Sequence, residues 1–466
     1  MASTINMKNS GALDIRNTGS TESFNTSSQI ELAPASTLDQ DQKKKKEVLQ
    51  SRDHSKATSD FGALLHVIKS SLGAGILASP DAFKHGGLIF SIFGTIFMGI
   101  VSTHCTHLVV KASQDLCFML KKPKLCYPET AEGAFQEGAG KRLRRYARLF
   151  RKMVDFSQFI TYYGINTAYV LIISSSAKEV VEYHFGVSYN IRWYSLASTL
   201  LVVPIGCVKH MKYLVPFSAM ANFLLGIGIT ISFYYIFQDL PPIDSRPAIQ
   251  SPSSISLFLS TVLLGMEGIG TIMPIENSMR HPSHFLGCPG VLNFAMLVVV
   301  SLITSLGFFG YLKYGDKTVG SITLNLPHDW LAESIKICVA LAILFTYSLQ
   351  LTASIEVLWD NVKHNFNKEN QGKAYYVIRV LLIIGTVLLA IAVPNLSPVI
   401  SLIGAVGFAV LGITIPVIID TILYWDEGFG MGNWVLWKNG VLFLISLYAM
   451  IAGGITSVID IIEEYS

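Results

Sequence analysis

Residues Ile255 to Ile275 read ISLFLSTVLLGMEGIGTIMPI. A helix needs about 20 apolar residues to cross a hydrocarbon core about 30 Å thick, and this run is long enough. Yet its middle carries Gly265-Met266-Glu267-Gly268-Ile269-Gly270, with Pro274 and Glu276 close behind. Such a segment can break a helix at membrane depth. Lipid cannot satisfy the N–H and C=O groups that a break frees, so an unwound stretch is tolerated only where it is buried in protein or lines a cavity. A carboxylate such as Glu267 in mid-span costs about 3 kcal/mol or more unless it finds a partner, a proton or a water-filled space. A protonated Glu267 bonded between helices and a Glu267 facing a cavity both meet that demand.

One other stretch reads the same way. Phe61 to Phe83, FGALLHVIKSSLGAGILASPDAF, places Ser70-Ser71-Leu72-Gly73-Ala74-Gly75-Ile76 before Pro80. Between and after these two lie further apolar runs, giving about eleven helices near 61–83, 86–110, 154–176, 194–208, 214–237, 255–275, 289–311, 335–358, 375–393, 398–423 and 435–459. Runs of this length without strict alternation are helices and not barrel strands. The expected fold is an all-α polytopic membrane protein. Breaks in its first and sixth helices fit a 5+5 inverted repeat with one extra helix, the arrangement in which transporters hold substrate near the bilayer midplane. The competing reading of each glycine is close helix packing.

Composition agrees. Of 466 residues 14% are charged, against about 25% in soluble proteins, 51% belong to the apolar set, and the mean hydropathy is +0.47. A net charge of +3 gives no footprint for nucleic acid. Residues 1–60 are polar and poor in aromatics, so a disordered tail is expected there, followed by a transporter domain at 61–460 and a short terminus at 461–466. The tail has no signal-peptide core, and Ala2 stands where myristoylation needs glycine. The run Lys43 to Lys46 and the basic residues of 121–152, 209–212 and 363–373 would share one side, against few on the other. By the positive-inside rule the N-terminus is cytoplasmic and Glu463-Glu464-Tyr465-Ser466 external or lumenal. Cys117, Cys126, Cys207 and Cys288 then face the cytoplasm or its boundary, Cys105 and Cys338 lie within helices, and no disulfide is expected.

Few residues carry chemistry. His66 lies about a turn inside the first helix and shares a face with the break at Gly73. It can relay protons, since histidine titrates near neutral pH, or bond a neighbouring helix. Glu276 and Asp155 are read near helix ends, Lys336 at another, and Tyr162, Tyr163, Phe258 and Tyr347 as packing. His104, His107, His281 and His284 lack acidic or cysteine partners for a metal. No phosphate loop, nucleophile elbow or cofactor motif is present, so no enzyme is expected. Asn395-Leu396-Ser397 spells a sequon in a loop too short to present it.

At this point the motifs resemble a known family. Leu65-His66-Val67-Ile68-Lys69 with Gly73-Ala74-Gly75, Thr103-His104-Cys105, Val154-Asp155-Phe156, Glu267-Gly268-Ile269-Gly270, Pro274-Ile275-Glu276-Asn277, Gly310-Tyr311-Leu312 and Gly320-Ser321-Ile322-Thr323-Leu324-Asn325-Leu326-Pro327 resemble the proton-coupled amino acid transporters of the amino acid/auxin permease group, in the APC superfamily. The resemblance implies a LeuT-like fold and symport of small neutral amino acids of the glycine, alanine and proline type with protons. It implies coupling through His66, with Glu267 as second candidate. It also implies a substrate carboxylate on the N–H groups around Gly73, Ala74, Gly75 and Ile76, and an ammonium on the carbonyls of Met266, Glu267, Gly268, Ile269 and Gly270. Better-known members are thought to carry a disulfide between the external loops after the third and seventh helices, yet residues 178–192 and 312–334 contain no cysteine. A sodium-coupled or uncoupled carrier of the same fold, or an amino acid sensor signalling to growth control, are the alternatives. Plasma membrane and lysosomal or endosomal membrane fit equally.

Overall fold

The computed structural model describes residues 57–71, 73–138, 143–208, 211–266, 268–287, 289–463 and 465. The tail, with Lys43 to Lys46, lies outside them, as do Leu72, Glu267 and Cys288. The described residues form helices joined by short connections. Eight of these helices are long and apolar enough to cross a membrane.

Helix α1 comes in pieces, Asp60–Ser71, Ala74–Leu77 and Ser79–Gly86. Ser70 and Ser71 both donate to Val67 O, at 2.8 and 3.2 Å, closing the last turn before the break. Helix α2 is Leu88–Leu120, a short helix Tyr127–Glu137 follows, and α3 is Ala147–Phe185. Helices α4 (Ile191–Gly206) and α5 (Met211–Ile236) complete the first half. Pro204 cannot donate a backbone bond, and α4 ends two residues beyond it. Helix α6 is Pro252–Gly265 and, after its break, Ile269–Ser278. The sequence therefore breaks where its glycines and prolines predict, at the first helix of each half.

Helices α7 (Val291–Tyr314), α8 (Trp330–Val362) and α9 (Gln371–Ala392) follow. Helix α10, Leu396–Leu423, loosens into π-helical turns at Ile403–Phe408 and Val410–Thr414. There Gly404 lies against Ser260 and Gly407 against Thr161. Helix α11 begins at Trp434 and ends at Glu463. Helices α3 and α8 make the most extensive contact, with α5 along α8, while α1 packs on α6 and on α7.

Helices α2 and α3 depart furthest from the sequence reading. Helix α2 runs ten residues past 110, and α3 opens at Ala147 and not at Val154. Lys111 is therefore helical, and Arg148, Arg151 and Lys152 belong to α3 and not to a basic loop. Hydropathy reports only the lipid-embedded part of a helix, whereas the hydrogen-bonded ladder continues as far as capping and packing allow. Lys121, in the left-handed conformation, ends α2 with its N–H on Phe118 O.

Among the described residues, the basic side chains of 121–152 and 363–373 gather at one end of the bundle, called here the basic end. At that end the segment before α1 pairs with the segment after α6. Thr58 N donates to Ser278 O at 2.8 Å, Arg280 N donates to Thr58 O at 3.0 Å, and His284 meets Asp60 at 2.6 Å.

Candidate functional site

Both breaks open onto one cavity of about 970 Å³. Helix α1 supplies His66, Lys69, Ser70 and Gly73; α6 supplies Gly268, Gly270, Thr271 and Pro274. Gln158, Tyr162 and Tyr169 of α3, Asn222 of α5, and Thr346 and Gln350 of α8 close the walls. At a broken helix the first half ends in free carbonyls and the second half begins with free N–H groups. Two breaks side by side thus offer both partial charges at one depth, which suits a zwitterion better than an ion of either sign.

The cavity opens at the basic end, where Cys126, Arg148, Arg151, Lys152, Asp360 and Asn361 form its rim. Among the described residues, four basic side chains (Lys69, Arg148, Arg151, Lys152) face four acidic ones (Glu132, Asp155, Glu356, Asp360), so apart from His66 their charges balance. Arg151 holds Glu132 at 2.8 Å. Burial pushes the Cys126 thiol up to about 11, so this rim cysteine stays protonated near neutral pH.

At the opposite end the outer piece of α1 is gripped on several sides. Ser397 at the start of α10 donates to the buried Asp81. Lys84 donates to Thr318 O at 3.0 Å, Pro80 packs on Gly310, and Phe83 packs on Gly307. Access is therefore one-sided.

The structure divides the sequence-selected residues. His66, Gly73, Gly268 and Gly270 line the cavity, and His66 is exposed in it beside Lys69. Ala74 and Ile269 open the helical pieces beyond the two breaks. Gly75 lies instead in direct contact with Gly265: a Cβ there would sit 2.6 Å from Gly265 N and 2.7 Å from Leu264 O. Ile76 and Met266 are buried in the surrounding core. Glu267 lies outside the described residues.

Three other expectations change. Glu276 is fully buried and accepts from Gln114 of α2 at 2.9 Å, because α2 covers this face of α6. Tyr162 lines the cavity and lies against Gly270, where a Cβ would come within 2.6 Å of its ring carbon Cζ. Lys336 is fully buried inside α8 and not at a solvated helix end. Tyr163, Phe258 and Tyr347 pack or bond between helices. Sequence reasoning did not single out Asn222 or Gln350, although an amide in the middle of an apolar run is itself a signal. Among the described residues no cluster could hold a metal, and Cys105, Cys126, Cys207 and Cys338 are free thiols.

Comparison with known proteins fits this geometry. The family model for transmembrane amino acid transporter proteins matches residues 56–459. The chain belongs to this family. The transporter is 39% identical over 416 residues to the proton-coupled amino acid transporter-like protein pathetic of Drosophila melanogaster, covering 89% of this chain and 88% of that one. It is 24% identical over 415 residues to the probable amino acid transporter skat-1 of Caenorhabditis elegans, covering 87% and 90%. Among solved structures it is similar to Mhp1, a nucleobase-cation-symport-1 family transporter, in a closed conformation with bromovinylhydantoin bound. That match has a TM-score of 0.51 at 12% identity and covers 89% of this chain and 93% of that one. At that identity the likeness shows the fold alone, and the fold is the LeuT-like one expected from the two breaks. The protein is a multi-pass membrane transporter for amino acids and not an enzyme.

Proposed function

We propose that the transporter carries small neutral amino acids together with protons toward the cytoplasm by alternating access. Its basic end is cytoplasmic by the positive-inside rule, its helices cross the membrane eleven times, and the conformation described is open to the cytoplasm. One observation carries the reading: both helix breaks meet a single cavity that is open at one end and sealed at the other. The substrate carboxylate binds the N–H groups beyond Gly73 and the ammonium binds the carbonyls between Met266 and Gly270. Charge balance of the lining disfavours substrates with a net charge, which would meet no uncompensated partner.

His66 couples the proton. It stands in the cavity within two turns of the break, where cytoplasmic water reaches it for release. Glu267 is the second candidate, through its own protonation or through holding the α6 break in shape. The proton-coupled name of the Drosophila relative supports this assignment.

Oocytes expressing the protein, given glycine, alanine or proline in sodium-free medium, should pass inward current at acidic external pH and little at neutral pH. His66→Ala at the same surface level should abolish the acid-driven current. Undiminished current in that variant would remove His66 from the mechanism, and current that requires sodium would replace the proton altogether.

A further inference from the structure

Outside the cavity lining, two charged side chains are buried between α3 and α8, with the partly exposed Glu179 against them. Lys336 is fully buried, with Nζ 2.7 Å from Glu179 and 3.6 Å from Glu333. Glu333 is 4% exposed, and its Oε2 has no hydrogen-bond partner among the described residues. The other oxygen, Oε1, meets His328 Nδ1 at 3.0 Å, and the His328 ring stacks on Tyr183 at 4.9 Å. Two carboxylates face one ammonium, so the buried group carries an uncompensated negative charge whenever His328 is neutral. An unpaired buried charge is costly, and one added proton removes it.

The other charged and titratable groups nearby are engaged elsewhere or distant from the pair. From α3, Lys178 faces Glu182 at 3.8 Å, Ser188 donates to the same Glu182, and His184 lies against Tyr183. From α5, Tyr235 donates to Asp329, which also caps α8 through Ala332 N. The imidazole of His328, about half exposed on the sealed side, is therefore the group through which a proton from that side reaches the cluster.

His328 ends the loop that grips the outer piece of α1, since Lys84 donates to Thr318 O and residues 322–325 touch that piece, α3 and α8. We propose that His328, Glu333, Lys336 and Glu179 form a second proton-binding site, open to the side opposite the cavity mouth, whose occupancy holds this loop in the position that seals the outer end. The site rests on the alternating-access reading above and is separate from His66. Acid on that side protonates His328, strengthens its bond to Glu333, and shifts the population toward the inward-open state. Histidine is the side chain suited to such a change near neutral pH.

The test does not depend on transport. In purified protein carrying Ser70→Cys and Cys126→Ser, in lipid nanodiscs, maleimide labelling of the cavity thiol at a single neutral pH reports the inward-open fraction. His328→Arg supplies a permanent cation and His328→Gln a permanent neutral group. The arginine variant should label about threefold to fivefold faster than the glutamine variant, the range expected for a half-exposed ion pair, with the parent between them. Glu333→Gln removes the carboxylate that protonated His328 holds and should label as slowly as the His328→Gln variant, which keeps the site testable where arginine does not fold. Equal labelling of His328→Arg and His328→Gln, or the reverse order, would overturn the site. Absence of amino acid uptake by wild type would remove the transport reading while leaving the labelling order to decide this one.

Discussion

Replacing Gly75 by alanine tests the way the two broken helices meet. The new Cβ would collide with Gly265 Cα and lie 2.6 Å from Gly265 N, both backbone atoms that no rotamer change can move. Ordinary contact begins near 3.4 Å, so the outer piece of α1 and the first half of α6 must separate by about 0.8 Å. Overpacking of a well-packed site costs about 1–3 kcal/mol, and an obstacle made of backbone places this case toward the upper end. For a chain of 466 residues that amounts to a fall of about 2–3 °C in melting temperature. Gly440→Ala is the control, because Gly440 is exposed on α11 with nothing within 4 Å of its Cβ position. There alanine should stabilise by about 0.5–1 kcal/mol through helix propensity alone. The readout is the monodisperse fraction of purified protein after heating. If Gly75→Ala melts at or above wild type while Gly440→Ala behaves as stated, the helix crossing described here is wrong.

Further outcomes follow from other contacts. Gly270→Ala should sharply reduce uptake because its Cβ meets the Tyr162 hydroxyl, and adding Tyr162→Phe should restore part of it; a double variant no better than the single one would show that the ring is not the obstacle. Arg379 is fully buried in α9, donating to the Gly206 and Val208 carbonyls, to Thr352 and to Tyr375. Arg379→Met should therefore cost about 2–5 kcal/mol of stability by orphaning two carbonyls, with the half-saturating substrate concentration unchanged. At the mouth of α8, the Ala332 N–H and the Tyr235 hydroxyl hold the Asp329 carboxyl below the usual carboxylate range. Its folded-state value is depressed, so its stabilising contribution is present above the ordinary carboxylate value near ~4 and is lost as pH falls through the depressed value. Asp329→Asn should melt lower than wild type at neutral pH, and the difference should shrink under acid.

What the sequence makes legible is local and covalent. Gly73, Gly75, Gly265, Gly268 and Gly270, with Pro80 and Pro274, announce two breaks because their backbone consequences need no knowledge of neighbours. The depth of His66 beside the first break is readable for the same reason. The roles within each glycine cluster are not: Gly73 and Gly270 face the cavity while Gly75 serves helix contact, and only the crossing of α1 and α6 decides which is which. Helix ends were misplaced at α2 and α3 because hydropathy follows lipid and not the hydrogen-bond ladder. The buried charges escaped for a related reason. Lys336, near the end of an apolar run, reads as a solvated terminus until α3 brings Glu179 against it, and Arg379 hides in a run whose other residues are apolar. Glu276 likewise reads as a cheap surface charge until Gln114 of α2 covers it.

The central claim is that a proton gradient drives an amino acid through the cavity between the two breaks. Its most direct test is purified protein in sodium-free liposomes, with tracer amino acid and an interior pH dye followed together while the exterior is made acidic. The account predicts amino acid accumulation above equilibrium, matched by acidification of the interior that requires the amino acid and is lost in His66→Ala. Accumulation that ignores the pH gradient and follows sodium, or proton entry indifferent to the amino acid, would contradict it.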